Sequence, residues 1–221
     1  MVSRGTGPRP RSGTAGRSSA PAGTSGASAV SPFALALEGI RLATTRPELQ
    51  LEEVPAPTRL APQAVALSGE VVPSYLTEDD DAVATGRFVL LHDPSCPEPW
   101  EGPWRIVSYA KAEMEPEVGH DPLAGQAGWS WLTDSLEAAD LTWAAPAGTV
   151  TCVTSESFGA LVDRPPTVEL ELRASWTPVL TPGREAEETA AHLGAWGDLL
   201  CTLAGLPPLP EGVVALSGIR R

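Results

Sequence analysis

The clearest alternation in the chain is TVELELRASW, residues 167–176, where Val168, Leu170, Leu172, Ala174 and Trp176 take every second position against Thr167, Glu169, Glu171, Arg173 and Ser175. Successive side chains on a strand point to opposite faces, so this pattern predicts a strand with one face buried and the other in water. LQLEEV (49–54) alternates in the same way and stops at Pro55-Ala56-Pro57, and TVTCVTSES (149–157) reads as a further strand. GRFVLLHD (86–93) is apolar on both faces, Phe88 and Leu90 against Val89 and Leu91, which predicts a central strand covered on both sides. The Pro-rich PSCPEPWEGP joins it to WRIVSYAKAEME (104–115), and the two should pair as a hairpin.

Elsewhere the period lengthens to that of a helix. Ser31 as N-cap and Pro32 at the first helical position open a helix with Phe33, Leu37 and Ile40 on one face, expected to run to about Ala43. A second helix is predicted over about 61–72, with Leu60, Ala64, Leu67 and Val71 in register. Asp121 and Pro122 open a third, which contains GWSWLTDSL (128–136) and should end near Ala139. Thr181 and Pro182 open the last, with Glu185, Glu187 and Glu188 near its positive end, Leu193, Trp196, Leu200 and Leu203 as its apolar stripe, and Gly205 as its stop. Two hairpins separated by a helix favour an α+β fold: a mainly antiparallel sheet of about four to five strands with helices packed on it.

Composition narrows the class. Apart from Met1, Val2 and Val30, residues 1–30 are Gly, Ser, Pro, Ala and Thr with four arginines, too poor in large apolar side chains to offset their ordering entropy, so a disordered tail is expected there. Residues 31–215 should form one domain and 216–221 a short C-terminal tail. The chain carries a net charge of -13, and because the tail is basic the body is more acidic still. Such a body repels phosphate backbones and anionic lipid, which argues against nucleic-acid binding by the body. No apolar run is long enough to span a membrane and no clean signal segment opens the chain, so a cytoplasmic location is expected. Cys96, Cys152 and Cys201 are odd in number and widely spaced, which argues against a disulfide framework and a structural zinc site. The acidic run Glu78-Asp79-Asp80-Asp81 reads as an exposed loop. Lys111 is the sole lysine, and the Ala, Gly, Pro and Arg content suggests a high-GC bacterial source.

Candidate chemistry is sparse. His92, Asp93 and Cys96 place an imidazole, a carboxylate and a thiol close together, but prolines and carboxylates around the thiol would raise its pKa, so a strand-end histidine and a loop cysteine is the plainer reading. Glu113, Glu115, Glu117, His120 and Asp121 form the richest ligand cluster. Glu113, Glu115 and His120 could hold Mg²⁺ or Mn²⁺ in a metal-dependent hydrolase, although the same spacing fits the solvated side of an edge strand. SESFG (155–159) lacks the first glycine of a nucleophile elbow and the helix that should follow it. No phosphate-binding glycine loop, dinucleotide fingerprint or HExxH zinc motif occurs, and no cofactor is predicted.

Seven tryptophans stand beside two tyrosines and three phenylalanines. Tryptophan is the commonest interface anchor, so the favoured function is non-catalytic binding of a protein partner, the rival being the carboxylate/histidine enzyme. The expected surface is the loop 94–103 with Trp100 and Trp104, together with Trp131. In GWSWLTDSL, Trp129 and Trp131 are separated by about 200° on a helix and cannot share a neighbour. Trp129 aligns with Leu132 and Leu136, and Trp131 with Leu123, Ala127 and Ala138. Either the helix is sandwiched, or one Trp faces a partner.

Taken together, RFVLLHDP, GWSWLTDSLEA, TVTCVTSESFG, ELELRASWTP and HLGAWGDLLCTLAGLPPLPEGVV resemble an uncharacterised actinobacterial family, domain of unknown function three thousand, over roughly residues 31–215. The resemblance implies no activity, cofactor or site residue.

Overall fold

The computed structural model describes residues 30–76 and 81–206. The tails expected before residue 30 and after 215, and most of the acidic run, at 78–80, lie outside the described residues. Within them are three α-helices and a six-stranded antiparallel sheet: α1 (Pro32–Leu42), β1 (Leu49–Val54), β2 (Gln63–Val71), β3 (Ala84–His92), β4 (Trp104–Met114), α2 (Ala124–Ala138), β5 (Trp143–Ser155), β6 (Thr167–Pro178) and α3 (Glu185–Leu203). The fold is α+β as the pattern implies, with six strands rather than four or five. Strand order is β1-β2-β3-β4-β6-β5, so β6 pairs with β4 and pushes β5 to the edge.

The predicted helix over 61–72 is the strand β2. Its alanines and the Leu60/Ala64/Leu67/Val71 spacing suit a helix, but Val65, Leu67, Gly69 and Val71 also recur with period two and face the helix layer. Pairing along both neighbours outweighs the weak helical propensity of the segment. Gly69 and its cross-strand partner Gly86 are required by close approach: a Cβ at either would fall 2.8 Å from the Trp196 indole of α3.

One face of the sheet carries all three helices. The core between them includes Phe88, Leu90, Ile106, Leu170, Leu172, Trp176, Leu193, Trp196 and Leu200, with Trp196 tilted on Phe88 at 5.6 Å. Burying large aromatic and aliphatic side chains of this kind contributes about 1.5–3 kcal/mol each. α1 begins as expected, with the Ser31 Oγ accepting from the Ala34 N–H at 3.2 Å. It crosses α3 so closely that a Cβ on Gly39 would sit 2.0 Å from the Ala186 carbonyl oxygen.

The other two helices start later than their Asp-Pro and Thr-Pro signals. Asp121 accepts from the Leu123 N–H at 2.8 Å and α2 begins at Ala124. Glu188 and Glu185 reach back to the N–H groups of Thr181 and Gly183, and α3 begins at Glu185. The acids thus satisfy donors ahead of the positive helix end. The opposite sheet face is mostly wet, apart from a small cluster of Ala66, Val89 and Leu91 under Val54, Ala56, Ala61, Ala64, Trp100 and Val107. That cluster is what covers the second side of β3, as its apolar run requires.

Candidate functional site

The residues singled out for an aromatic surface are dispersed. Trp104 is buried at 5% exposure, its ring 4.1 Å from His92 and 6.3 Å from Phe33, so it closes one end of the core rather than facing solvent. Trp100 is half-buried over the small cluster on the far face of the sheet. Trp131 is half-buried against the main core from α2, as is Trp129. The two indoles diverge as helical spacing demands. Trp129 lies on β5, where a Cβ at Gly148 would meet it at 2.6 Å.

Nor does the fold assemble the candidate ligands. Glu113 is exposed on β4 opposite Glu169; Glu115 follows the strand, and His120 ends a 3₁₀ turn with its Nδ1 3.4 Å from the Pro116 carbonyl. Among the described residues no group of three or more His, Cys, Asp and Glu side chains is placed to hold a metal ion. His92 is buried, its Nδ1 2.7 Å from the Gln63 Oε1, and burial lowers its pKa. Asp93 instead turns to Ser95, whose hydroxyl and N–H lower its pKa, and Cys96 is exposed with its Sγ 3.7 Å from the Pro94 carbonyl. The three groups are therefore turned to separate partners.

A histidine overlooked in the sequence lies deeper. His192, 1% exposed, interrupts the apolar stripe of α3 and accepts at Nδ1 from the Trp176 indole N–H at 3.3 Å. Burial pushes its pKa down to about 4, so the ring is neutral at pH 7 with its proton on Nε2. It lines a cleft of about 450 Å³ beside Asp140, Thr142, Arg184, Glu187 and Glu188. Arg184 is engaged by Glu187 at 2.9 Å and Glu188 at 3.7 Å. The rim of this cleft stays acidic, its one Arg being held by two of its three carboxylates, and Glu188 already serves the start of α3.

The least satisfied surface is β5. Its sequence, WAAPAGTVTCVTS, carries no charged side chain, and from Thr149 onward it is β-branched at every position but Cys152 and Ser155. Only Val150 is even half-buried among 149–155. Its helix-side positions are closely approached at two points: a Cβ on Gly128 of α2 would lie 3.1 Å from Val150, and one on Gly119 would lie 2.6 Å from Thr154. Its sheet-edge side is another matter. β6 is its sole strand partner among the described residues, so every second pair of backbone N–H and C=O groups faces outward. A bulge between Ala144 and Ala147 bends the strand's beginning, where Arg105 donates to the Ala145 carbonyl at 2.8 Å, the Thr177 hydroxyl at 3.1 Å and the Ser175 hydroxyl at 2.6 Å. Pro146 falls within this irregular start, a place where an edge strand tolerates it.

The connection from β5 to β6 extends this exposure. Gly159 takes φ +63°, and the turn is held by Leu161 N–H to the Phe158 carbonyl and Arg164 N–H to the Leu161 carbonyl. The turn presents Phe158 (74% exposed), Val162 (66%) and Leu161 (47%) to solvent, and Val153 (44%) is exposed on the strand that leads to it. Large apolar residues gathered on a monomer surface mark interaction sites. TVTCVTS, free of Lys, Glu and Pro, was a signal of an undefended edge, but strand order, which makes it an edge, is not written in any local segment.

No curated protein and no solved structure matches the chain. Residues 29–214 match the family model described as protein of unknown function DUF3000, and the chain belongs to that family.

Proposed function

We propose that this protein works by binding another polypeptide rather than by catalysis, in the cytoplasm, and that the β5 edge is its docking surface. The observation that carries the reading is the uncharged, exposed run 149–155 at a sheet edge, continued by the apolar turn at Phe158, Leu161 and Val162. Strand addition uses such an edge directly: backbone hydrogen bonds supply affinity and alternate side chains supply selectivity. The tryptophans contribute from beneath, Trp129 bracing Gly148 and Trp143 opening the strand. Trp100 and Trp131 keep only their half-exposed rims for a partner, and Trp104 has none to offer.

Thr151→Lys and Phe158→Ser test this surface, since both side chains are exposed and neither supports the core. Crosslinking in lysate followed by affinity capture should recover polypeptides with the wild type that both variants lose. Identical recoveries from all three would eliminate the β5 edge as the docking surface.

A further inference from the structure

Resting on the strand-addition reading, we infer that the polypeptide that docks on β5 is the β5 of a second copy, giving a two-fold dimer with a continuous sheet across the interface. Charge narrows where two copies can meet. The chain is strongly acidic, and two copies repel unless they meet where neither is charged. β5 is such a place: antiparallel pairing of two β5 strands sets no ionisable acid or base opposite another.

The register follows from the strand itself. A two-fold axis perpendicular to the sheet keeps both helix layers on one side, and so pairs residues of the same face with one another. The bulge-free stretch is 147–155, and the pairing that uses all of it puts Thr151 on the axis. Val150 then faces the partner's Cys152, Thr149 faces the partner's Val153, and Ala147 faces the partner's Ser155. These are small or β-branched side chains, and no pair sets like charges opposite one another. Beyond Ser155, each chain heads toward the partner's Trp143, bringing the exposed Phe158 turn to the half-buried indole at the start of the other strand. One self-complementary patch thereby accounts for both the open ladder and the apolar turn, as an isologous interface must.

The axis supplies the test. In its own sheet Thr151 lies opposite Glu171, so Thr151→Lys is tolerated by the monomer, whereas in the dimer the two lysines face each other. Sedimentation equilibrium of the full chain over roughly a hundredfold concentration range should show monomer and dimer, and Thr151→Lys should weaken the dimer more than about tenfold. Mixing Thr151→Lys with Thr151→Glu should restore association, with melting curves confirming that both variants are folded. In a Cys96→Ser background, a short bismaleimide should link Cys152 to the partner's Cys152, whose Cα atoms would lie about 7 to 8 Å apart as a diagonal pair. A wild type that stays monomeric, or a dimer indifferent to both charges, overturns the inference. If the monomer nevertheless captures other polypeptides that Thr151→Lys loses, the proposed function survives without it.

Discussion

At one edge of the sheet β1 is six residues long, carries Glu52 and Glu53, and stops at Pro55; at the other, β5 runs for thirteen residues without a charge. Shortness, charge and proline are the ordinary means of keeping an edge from pairing with another chain. β1 has all three. It is also anchored: Leu49 is buried, a Cβ on Gly197 of α3 would lie 2.8 Å from it, and the preceding Arg46 pairs with Glu48 at 3.1 Å. Beyond its bulged start β5 has none of the three, while its helix face remains buttressed by Gly128 and Gly119. A strand that is well supported from above and open from the side is poised to add a neighbour.

Substitutions should separate the side that holds the fold from the side that meets a partner. The largest effect belongs to the α1–α3 crossing. Gly39→Ala drives a methyl against the Ala186 carbonyl and should cost about 3 kcal/mol in chemical denaturation, because that obstacle is backbone and cannot rotate away.

Acid should act at nearly the same scale, and again on the fold alone. The pKa of His192 is about 4 when folded and 6.5 in the open chain, so unfolded molecules take up the proton first as pH falls. Its stabilisation is whole above pH 6.5 and is lost progressively down to about 4, on the order of 3 kcal/mol. His192→Gln keeps an acceptor for the Trp176 indole and removes the titration, so its stability should vary less with pH; His92, also lowered by burial, retains part of the slope. A wild-type stability independent of pH in this window would contradict the burial of both rings. No acid or imidazole titrates on β5, so pairing through it should not follow the same curve.

Removing the guards from β1 should have a smaller effect on folding but a visible one on assembly. Glu52→Thr with Glu53→Val leaves two open edges, and sedimentation should reveal species larger than a dimer at concentrations where the wild type has none. If nothing larger forms, shortness and Pro55 are sufficient guards without the charge. Smallest of all is the folding cost of Thr151→Lys, within about 0.5 kcal/mol, since the side chain is exposed beside Glu171. A larger loss would mean that the β5 edge helps to hold the fold.

How much of this was legible in one dimension depends on the range of the forces involved. β6 was readable because its alternation records two environments, β3 because its apolar run records cover on both faces, β4 as the hairpin partner of that run, and α1 because Ser31 and Pro32 act within one turn. β2 was not, since its alanines satisfy two periods and only pairing with β1 and β3 decides between them. The first half of β5 was hidden by Pro146 and the bulge. Trp104 opens the predicted strand 104–115 and was grouped with the loop before it as a binding surface, yet cross-strand pairing with His92 draws it into the core. Of the candidate site, the strand 149–157 was visible, whereas its place at the edge depends on β6 returning to β4.

Arg105 decides how reversible an encounter at that edge can be. Its guanidinium reaches from β4 to hydroxyls on β6 and to a carbonyl on β5, so one side chain rivets three strands. Prising β5 from the sheet would cost this buried cation its Ala145 acceptor at the same moment that the ladder opens. An arriving strand is therefore appended instead of exchanged. An assembly made this way can dissociate without either chain unravelling, which spares it the slow, entangled products of swapping.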